Sequence, residues 1–417
     1  MRIGIVGSGI SGLVAAYHLS RQHAVTVFEA NAWVGGHTNT VDVNYAGEHH
    51  SIDTGFIVFN DRTYPNFIHL LQELQVASVP TSMGFCVSSE PDDLEYSGSG
   101  LAGLFAQRRN LLRPGHYRMI GDILRFNGKA PALASELDDS VTVAEFLRRH
   151  GYSTEFAQRY LLPMGAAIWS CPVTTFESFP VRFIVDFYQN HGLLSLRDRP
   201  TWRVISGGSQ RYVEALTKPF RDCIRLNSAV QRVRRRPDGV DIITEQDTTT
   251  VDEVVMACHS DQTLRLLGKD ATPVENAVLE SFPYQPNTAV LHTDESVLPK
   301  RRQVWSSWNY HISGNSDSHL ATLTYNMNIL QHLKSKHTFC VTLNESNRID
   351  PKKVLGTYHY SHPVFTVKRR SAQHRHPELV RNNRVSCCGA YWGNGFHEDG
   401  VNSALAVVGA FQDSSGA

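Results

Sequence analysis

Three glycines and one acid near the start of the chain have the types and spacing to hold a dinucleotide. In Ile3-Gly4-Ile5-Val6-Gly7-Ser8-Gly9-Ile10-Ser11-Gly12 an apolar run ends in a glycine-spaced turn, and a second run, Ala24-Val25-Thr26-Val27-Phe28, ends in Glu29. Gly7 permits a tight strand-to-helix turn, Gly9 lets the backbone approach a pyrophosphate, and Gly12 lets the next helix pack closely on the sheet. That helix is expected from Ser11, just after Ile10, to about Arg21, and its free N–H groups and positive end suit an anion. Glu29, with Ala30 beside it, is placed to accept hydrogen bonds from ribose hydroxyls. An acid there favours an unphosphorylated ribose, as in FAD or NAD.

The same glycine spacing recurs at Gly98-Ser99-Gly100-Leu101-Ala102-Gly103. Its context is wrong for a second nucleotide site. Asp92-Asp93-Leu94-Glu95-Tyr96 makes a poor buried strand, Pro114-Gly115 interrupts the residues after the glycines, and no acid-ended strand comes next, so the sequence predicts a loop.

The elements needed to position a dinucleotide are dispersed along the chain. Gly35-Gly36, followed by His37-Thr38, and the segment Asp53-Thr54-Gly55-Phe56-Ile57 permit close backbone approach to a ligand. Val204-Ile205-Ser206-Gly207-Gly208-Ser209 leads into a helix and then the strand Ala229 to Val233. A hairpin at Pro237-Asp238-Gly239 comes next, and Glu253 to Cys258, which includes Ala257, reads as a buried strand returning to the sheet. Near the end, Val385 to Trp392, with Gly389 and Ala390, runs through glycines into a helix from Val401 to about Phe411. A second helix N-terminus there suits negative charge on a reduced flavin.

The predicted fold is α/β. A discontinuous Rossmann-like FAD-binding domain is built from residues 1–85, 204–270 and 383–417, and an α+β substrate-binding domain from 86–203 and 271–382. Amphipathic helices are expected around Leu101 to Asn110, Tyr117 to Asn127, Val143 to His150 and Phe179 to His191, and strands around Thr288 to His292 and His319 to Tyr325.

With 417 residues, two domains are the natural expectation. Lys plus Arg equals Asp plus Glu at 40 each, so no global field attracts nucleic acid. Seven cysteines without a CxxC pair suit reduced thiols in a cytoplasmic protein. The first strand starts at once, without the pattern of a signal peptide, and no apolar run reaches the roughly 20 residues of a membrane span. Among 20 histidines none shows metal-ligand spacing, and no GxSxG elbow is present.

Taken in order, GSGISG with Glu29, VGGHT, DTGF, GGSQRYV, VVMACH and GAYWGNGFHEDGVNSA resemble the flavin-containing amine oxidases and their phytoene-desaturase-like relatives. More narrowly, GGHTNTVDV, DTGFIVFN, SSWNY, HPVFT and GFHEDG are similar to a bacterial branch of FAD-binding proteins. A domain of that kind precedes the methyltransferase in plant cyclopropane fatty-acid synthases. The resemblance implies an amine-oxidase-like fold and noncovalent FAD. Gly7, Gly9, Ser11 and Gly12 would meet the diphosphate, Glu29 the ribose and the Val230 backbone the adenine. Gly36, His37 and Thr38 would lie along the diphosphate and ribityl chain, Gly55, Phe56 and Ile57 beside the isoalloxazine, and Glu398 with Val401 at its pyrimidine edge. It also implies a lipid substrate and, as a partner, a lipid-modifying methyltransferase.

Three departures bear on the chemistry. His37 stands where amine oxidases commonly carry arginine, the strand Pro286 to His292 lacks the lysine found beside flavin N5 in many of them, and His397 replaces an aromatic wall. Amine substrates lose support. His397 is the candidate general base, or else a structural histidine. Tyr391 and Trp392 read as core aromatics, whereas Trp305, Trp308, Tyr310 and Tyr325 fit either an apolar tunnel or a core. Leu101 to Lys129 holds Arg108, Arg109, Arg113, Arg118, Arg125 and Lys129 with one acid, Asp122, among apolar residues. Such a segment suits either an anionic membrane surface or a solvated basic face. The expected reaction is hydride transfer between flavin and a largely apolar substrate, with a flavin isomerase or a non-catalytic FAD-binding partner as the alternatives.

Overall fold

Short apolar runs at the start of the chain and at three later places assemble one parallel sheet. In the computed structural model, which describes residues 1–195, 197–314 and 320–412, its order is Ile224–Arg225, Ala24–Phe28, Arg2–Val6, Glu253–Met256, Val385–Cys387. Such strands are covered on both faces and therefore read as continuous hydrophobic runs. The helices Ile10–Leu19 and His397–Gln412 cover one face through Leu13, Val14, Ala404 and Val407. The antiparallel strands Val230–Arg236, Gly239–Thr244 and Thr248–Val251 pack on the other, with Ile242 over the bare backbone of Gly4.

A second, seven-stranded sheet runs Val354–Pro363, Tyr284–His292, Cys340–Leu343, Leu323–Asn326, Trp308–Ile312, Phe85–Ser89, Leu94–Ser97. Beside it, the helices Pro114–Ser135, Val143–Arg149, Leu162–Trp169 and Val181–Asn190 enclose a core dominated by Phe126, Phe146, Phe156, Phe176 and Phe179. Two small sheets join these regions: Thr40–Tyr45 with Glu48–Asp53, and Trp202–Ile205 between Phe59–Asn60 and Ser78–Pro80.

The second glycine-spaced motif departs from expectation. Leu94–Ser97 is a buried strand, and Leu101–Leu104 makes one helical turn, so residues 98–103 form a strand-to-helix turn rather than a plain loop. The sequence hides this because Glu95 looks wrong for a buried strand. Its charge is met by Arg301 Nη1 at 2.7 Å and Lys300 N at 2.8 Å. The strand is an antiparallel edge, without the crevice that parallel strands make at their carboxyl ends. The helix expected over Leu101 to Asn110 breaks after Leu104 and resumes as a 3₁₀ turn, Arg108–Leu112, because Gln107 turns inward to bond Glu95 N and Asp93 O. Of the strand expected over His319 to Tyr325, Leu323–Asn326 forms, and His319 lies outside the described residues.

Trp308 and Tyr325 meet edge to face at 5.3 Å, Tyr310 is buried, and Trp305 Nε1 donates to Pro299 O, so these aromatics pack as core and sheet edge. Tyr391 and Trp392 close on Phe282, as core aromatics do.

Candidate functional site

The carboxyl ends of the first two strands of the chain converge on an anion cradle. Gly7 has φ +104°, and a Cβ there would lie 2.8 Å from Ala257 O. Gly9 caps the helix Ile10–Leu19 without a side-chain bond, and the first turn carries no acid, so its N–H groups remain open to a ligand. No atom lies within 4 Å of where a Gly9 Cβ would be, while Gly36, at φ +60°, presses its own missing Cβ to 3.1 Å from Gly9 Cα. Gly35 N donates to Ser8 O at 3.0 Å. Two bare backbones thus flank an open space at a helix N-terminus, which is what a pyrophosphate requires. The residues fit FAD.

Glu29 is buried and accepts four hydrogen bonds: from Ser8 N (3.0 Å), Ser8 Oγ (2.6 Å), Asn31 N (2.9 Å) and Asn31 Nδ2 (2.9 Å). The backbone pair fixes the carboxylate at the end of the second strand, and the two side-chain donors are the ones an incoming hydroxyl could displace. Ala30 is exposed beside it. Ser228 N donates to Glu29 O at 2.8 Å, which brings the start of the strand Val230–Arg236, and Val230 with it, to the adenosine end.

At the other end, two residues widely separated in sequence come together. The imidazole of His397 stacks on Phe56, and its Nε2 is 3.0 Å from Thr38 Oγ1 and 3.1 Å from Tyr212 OH, which themselves are 2.5 Å apart. Burial, with His37 nearby, holds the His397 pKa well below its ordinary value, so the ring is neutral. Thr54 Oγ1 bonds Asn39 O and Tyr360 OH; Phe56 N donates to His37 O at 2.7 Å, against which Gly55 leaves no room for a side chain. Ile57 is buried on the side of the seven-stranded sheet. Gly389 N donates to Ser403 Oγ at 2.9 Å, and Ala390 O accepts from Gly393 N and Gly395 N, folding the glycine turn that precedes the last helix. Val401 is buried in that helix.

Glu398 has a different task for its side chain. Its two oxygens accept from Asn66 N (3.0 Å) and Phe67 N (2.8 Å), capping the helix Pro65–Glu73, which has no side-chain cap from its own N-cap residue. The side chain is thereby committed to that helix.

Four residues to which the motifs assign no role, Asp53, His259, Tyr360 and His362, complete the site. Asp53 accepts from Thr40 Oγ1, Ser209 N, Ser209 Oγ and Gln331 Nε2, tying three parts of the chain together, and burial pushes its pKa up to about 6. His259, Tyr360 and His362 gather around His37, their ring centroids 6.2, 5.0 and 5.3 Å from its own. Burial pushes the imidazoles of His37, His259 and His362 down to about 4, 4 and 3. His259 bears a signal that sequence contains, its place after a buried strand at a helix N-cap. His362 bears one only as the first residue of HPVFT, and Tyr360 bears none. Among the described residues no cluster has the arrangement of a metal site.

The comparisons agree with this geometry. Residues 10–408 match the family model for flavin containing amine oxidoreductase. In Mycobacterium tuberculosis the protein named Putative flavin-containing monoamine oxidase AofH is 27% identical over 61% of this chain and 56% of its own length, so the chain spans about half of that relative. Among solved structures, cyclohexylamine oxidase from Brevibacterium oxydans superposes with a TM-score of 0.69 at 15% identity, covering 100% of this chain and 99% of that one. The CLA-producing fatty acid isomerase from P. acnes superposes with a TM-score of 0.68 at 15% identity, covering 98% of each chain. The chain belongs to the flavin-containing amine oxidoreductase family, and FAD is its cofactor.

Proposed function

We propose that the protein is an FAD-dependent oxidoreductase whose substrate is largely apolar and of the fatty-acyl lipid class. The observation that carries this reading is the aromatic wall leading to the cofactor site. Phe396, next to His397, stacks on Phe187 at 5.2 Å, Phe187 lies 4.8 Å from Trp169, and Trp169 lies 5.3 Å from Phe183. Such a wall of ring carbons takes a hydrocarbon chain without leaving polar groups of the protein unpaired. When bound, FAD supplies hydride acceptance or donation at N5. The chain's residues hold the diphosphate at Gly9 and Gly36, fix the ribose at Glu29, and exclude water with Phe56, Phe187 and Phe396. The fold shared with a fatty acid isomerase favours, as the second reading, a lipid isomerisation without net redox change.

Organic extraction of freshly purified protein followed by mass spectrometry tests the substrate class. A retained acyl chain is expected. Anaerobic incubation of the FAD-loaded protein with that lipid then separates the two readings, since bleached flavin means net transfer and unbleached flavin with a rearranged product means isomerisation. Retention of a polyamine, with flavin reduction by it, defeats the lipid reading.

The lipid reading extends to the surface through which the substrate arrives. Leu112 is 87% exposed and Leu101 76%; Leu111, Tyr117 and Leu124 are exposed with them. Tyr117 OH donates to Leu111 O, and Phe105 lies 5.7 Å from the Tyr117 ring, which joins these side chains into one patch. Arginines 108, 109 and 113 border it. The partner that matches this apolar, basic-rimmed corner is an anionic lipid surface. Its field is weaker than the sequence alone implies, because Arg109 meets Asp93, Arg118 meets Glu155 and Arg125 meets Asp122. Among the described residues no helix is long and apolar enough to cross a membrane.

A further inference from the structure

A largely desolvated cation sits against the aromatic wall beside Phe183. Arg369 opens the short helix Arg369–His374, and its guanidinium carbon lies 3.7 Å from the centre of the Phe183 ring and 5.0 Å from that of Phe365. Among the described residues, the only hydrogen bond from its head is Nη2 to Asn394 Oδ1 at 3.0 Å. Its Nε is buried without a partner, and among the described residues it forms no ion pair. Three acids act on its charge from nearby without bonding it: Asp399, which accepts from Phe396 N at 2.9 Å, Asp139, which pairs with Arg370 at 2.8 Å, and Asp186, which is exposed on its helix.

A desolvated guanidinium whose head makes one hydrogen bond, to a neutral acceptor, and no ion pair is costly, because buried charges are ordinarily paired. Burial pushes its pKa down to about 10, which still leaves it fully charged at neutral pH. A structural arginine here would be better replaced by a hydrocarbon. An arginine kept for a ligand would look like this one, with part of its donor fork unused and its flat faces held by aromatic rings.

The placement gives the unused donors a direction. Asn394, which holds Nη2, lies three residues before His397, and its carbonyl accepts from Trp169 Nε1 at 3.4 Å. From Phe183 the rings of Trp169, Phe187 and Phe396 lead to His397 and Phe56 at the cofactor. A positive charge stands against a hydrocarbon wall that leads to the flavin site.

We infer that Arg369 anchors the anionic head of an amphiphilic substrate whose chain lies along this wall. The inference rests on the lipid reading of the site and narrows it: the substrate is an acid, not an amine and not an uncharged lipid. The chemistry recognised is an oxyanion, and a fatty-acid carboxylate and a lysolipid phosphate both present one.

The test is a binding titration of the FAD-loaded protein, read from the perturbed flavin absorbance, with oleate, 1-oleoyl-lysophosphatidate, methyl oleate and oleylamine. For the wild type, oleate or lysophosphatidate should bind more tightly than the ester, and whichever of the two wins identifies the head group. Arg369→Gln should weaken that anion by about tenfold to a hundredfold, the range of a lost charge-assisted hydrogen bond, and leave methyl oleate unchanged. Arg369→Lys should retain part of the preference, and the FAD content and circular dichroism of each variant establish that it is folded. Equal affinity of the anion for wild type and Arg369→Gln, or an equal loss of anion and ester, overturns the inference while the lipid reading stands. If oleylamine binds and none of the other three perturbs the flavin, both fall together.

Discussion

The imidazole of His397 lies flat on the ring of Phe56, with 3.4 Å between centroids and 12° between planes. The stack fixes the orientation of Nε2, so that both Thr38 and Tyr212 reach it with their hydroxyls. A ring so packed, and so far from its ordinary basicity, is a poor proton acceptor at neutral pH.

His397→Gln is therefore expected to keep FAD and to lose about 1 to 3 kcal/mol of stability through the missing stack and hydrogen bonds. The pH profile of kcat/KM should be the same shape in variant and wild type. A limb present in the wild type and absent in His397→Gln would establish His397 as an acid or base in the reaction.

For Glu29→Gln the expected loss in FAD affinity is about 1 to 3 kcal/mol, because one oxygen that accepts from two donors becomes an NH2 group facing them. Flavin fluorescence measured on titration of the FAD-free protein, at matched folded fraction, gives the comparison. Unchanged affinity would remove Glu29 from the ribose.

Acid should destabilise the FAD-free protein before it protonates ordinary carboxylates. His37, His191, His259, His292 and His362 all have folded pKa values of about 3 to 4, below the ordinary 6.5, so the folded state binds fewer protons than the unfolded one in that interval. Their stabilisation is complete above pH 6.5 and is lost as pH falls toward 4. Asp53 and Asp399, raised to about 6, act in the opposite sense over pH 6 to 3.8, but they are fewer. The net slope should reach roughly 4 kcal/mol per pH unit at its steepest, at about 1.4 kcal/mol per proton. Urea denaturation at pH 7.5, 6 and 5 measures it, and a midpoint that does not fall would show that these rings are not held neutral.

Flotation with liposomes should show binding that rises with anionic lipid and falls with salt. Replacing Arg108, Arg109 and Arg113 by Glu should abolish it, and Leu112→Ser should weaken it at every salt concentration, with FAD retained in both. Because three of the five arginines of this segment are already paired, the salt dependence should be shallow. Wild-type protein that ignores anionic liposomes rules out the lipid surface.

Much of the nucleotide-binding region is legible in the sequence because its rules are local. A Gly7 turn, a bare Gly9 and an acid at the end of a strand each depend on neighbours a few residues away. The features that stay hidden depend on distance in sequence. Nothing near Glu398 indicates that it caps a helix beginning at Pro65, and nothing in the spacing of His37, His259 and His362 brings them together, since three separate parts of the fold must first be placed. The turn at Gly98 to Gly103 escapes the sequence for the complementary reason: Glu95 looks unsuited to burial until Arg301, more than two hundred residues later, arrives beside it.

The central sheet closes only when Val385–Cys387 pairs with Glu253–Met256, and the helix after it supplies the backbone at the flavin edge. Synthesis proceeds in the other direction. The Gly9 cradle emerges from the ribosome well before the last helix and stays without it while nearly four hundred further residues are made, so the long-range pairing that completes it is slow to form. Cofactor capture is thus a late event in the life of this chain, and supply of FAD to the cell should govern how much finished protein survives rather than how fast it is translated.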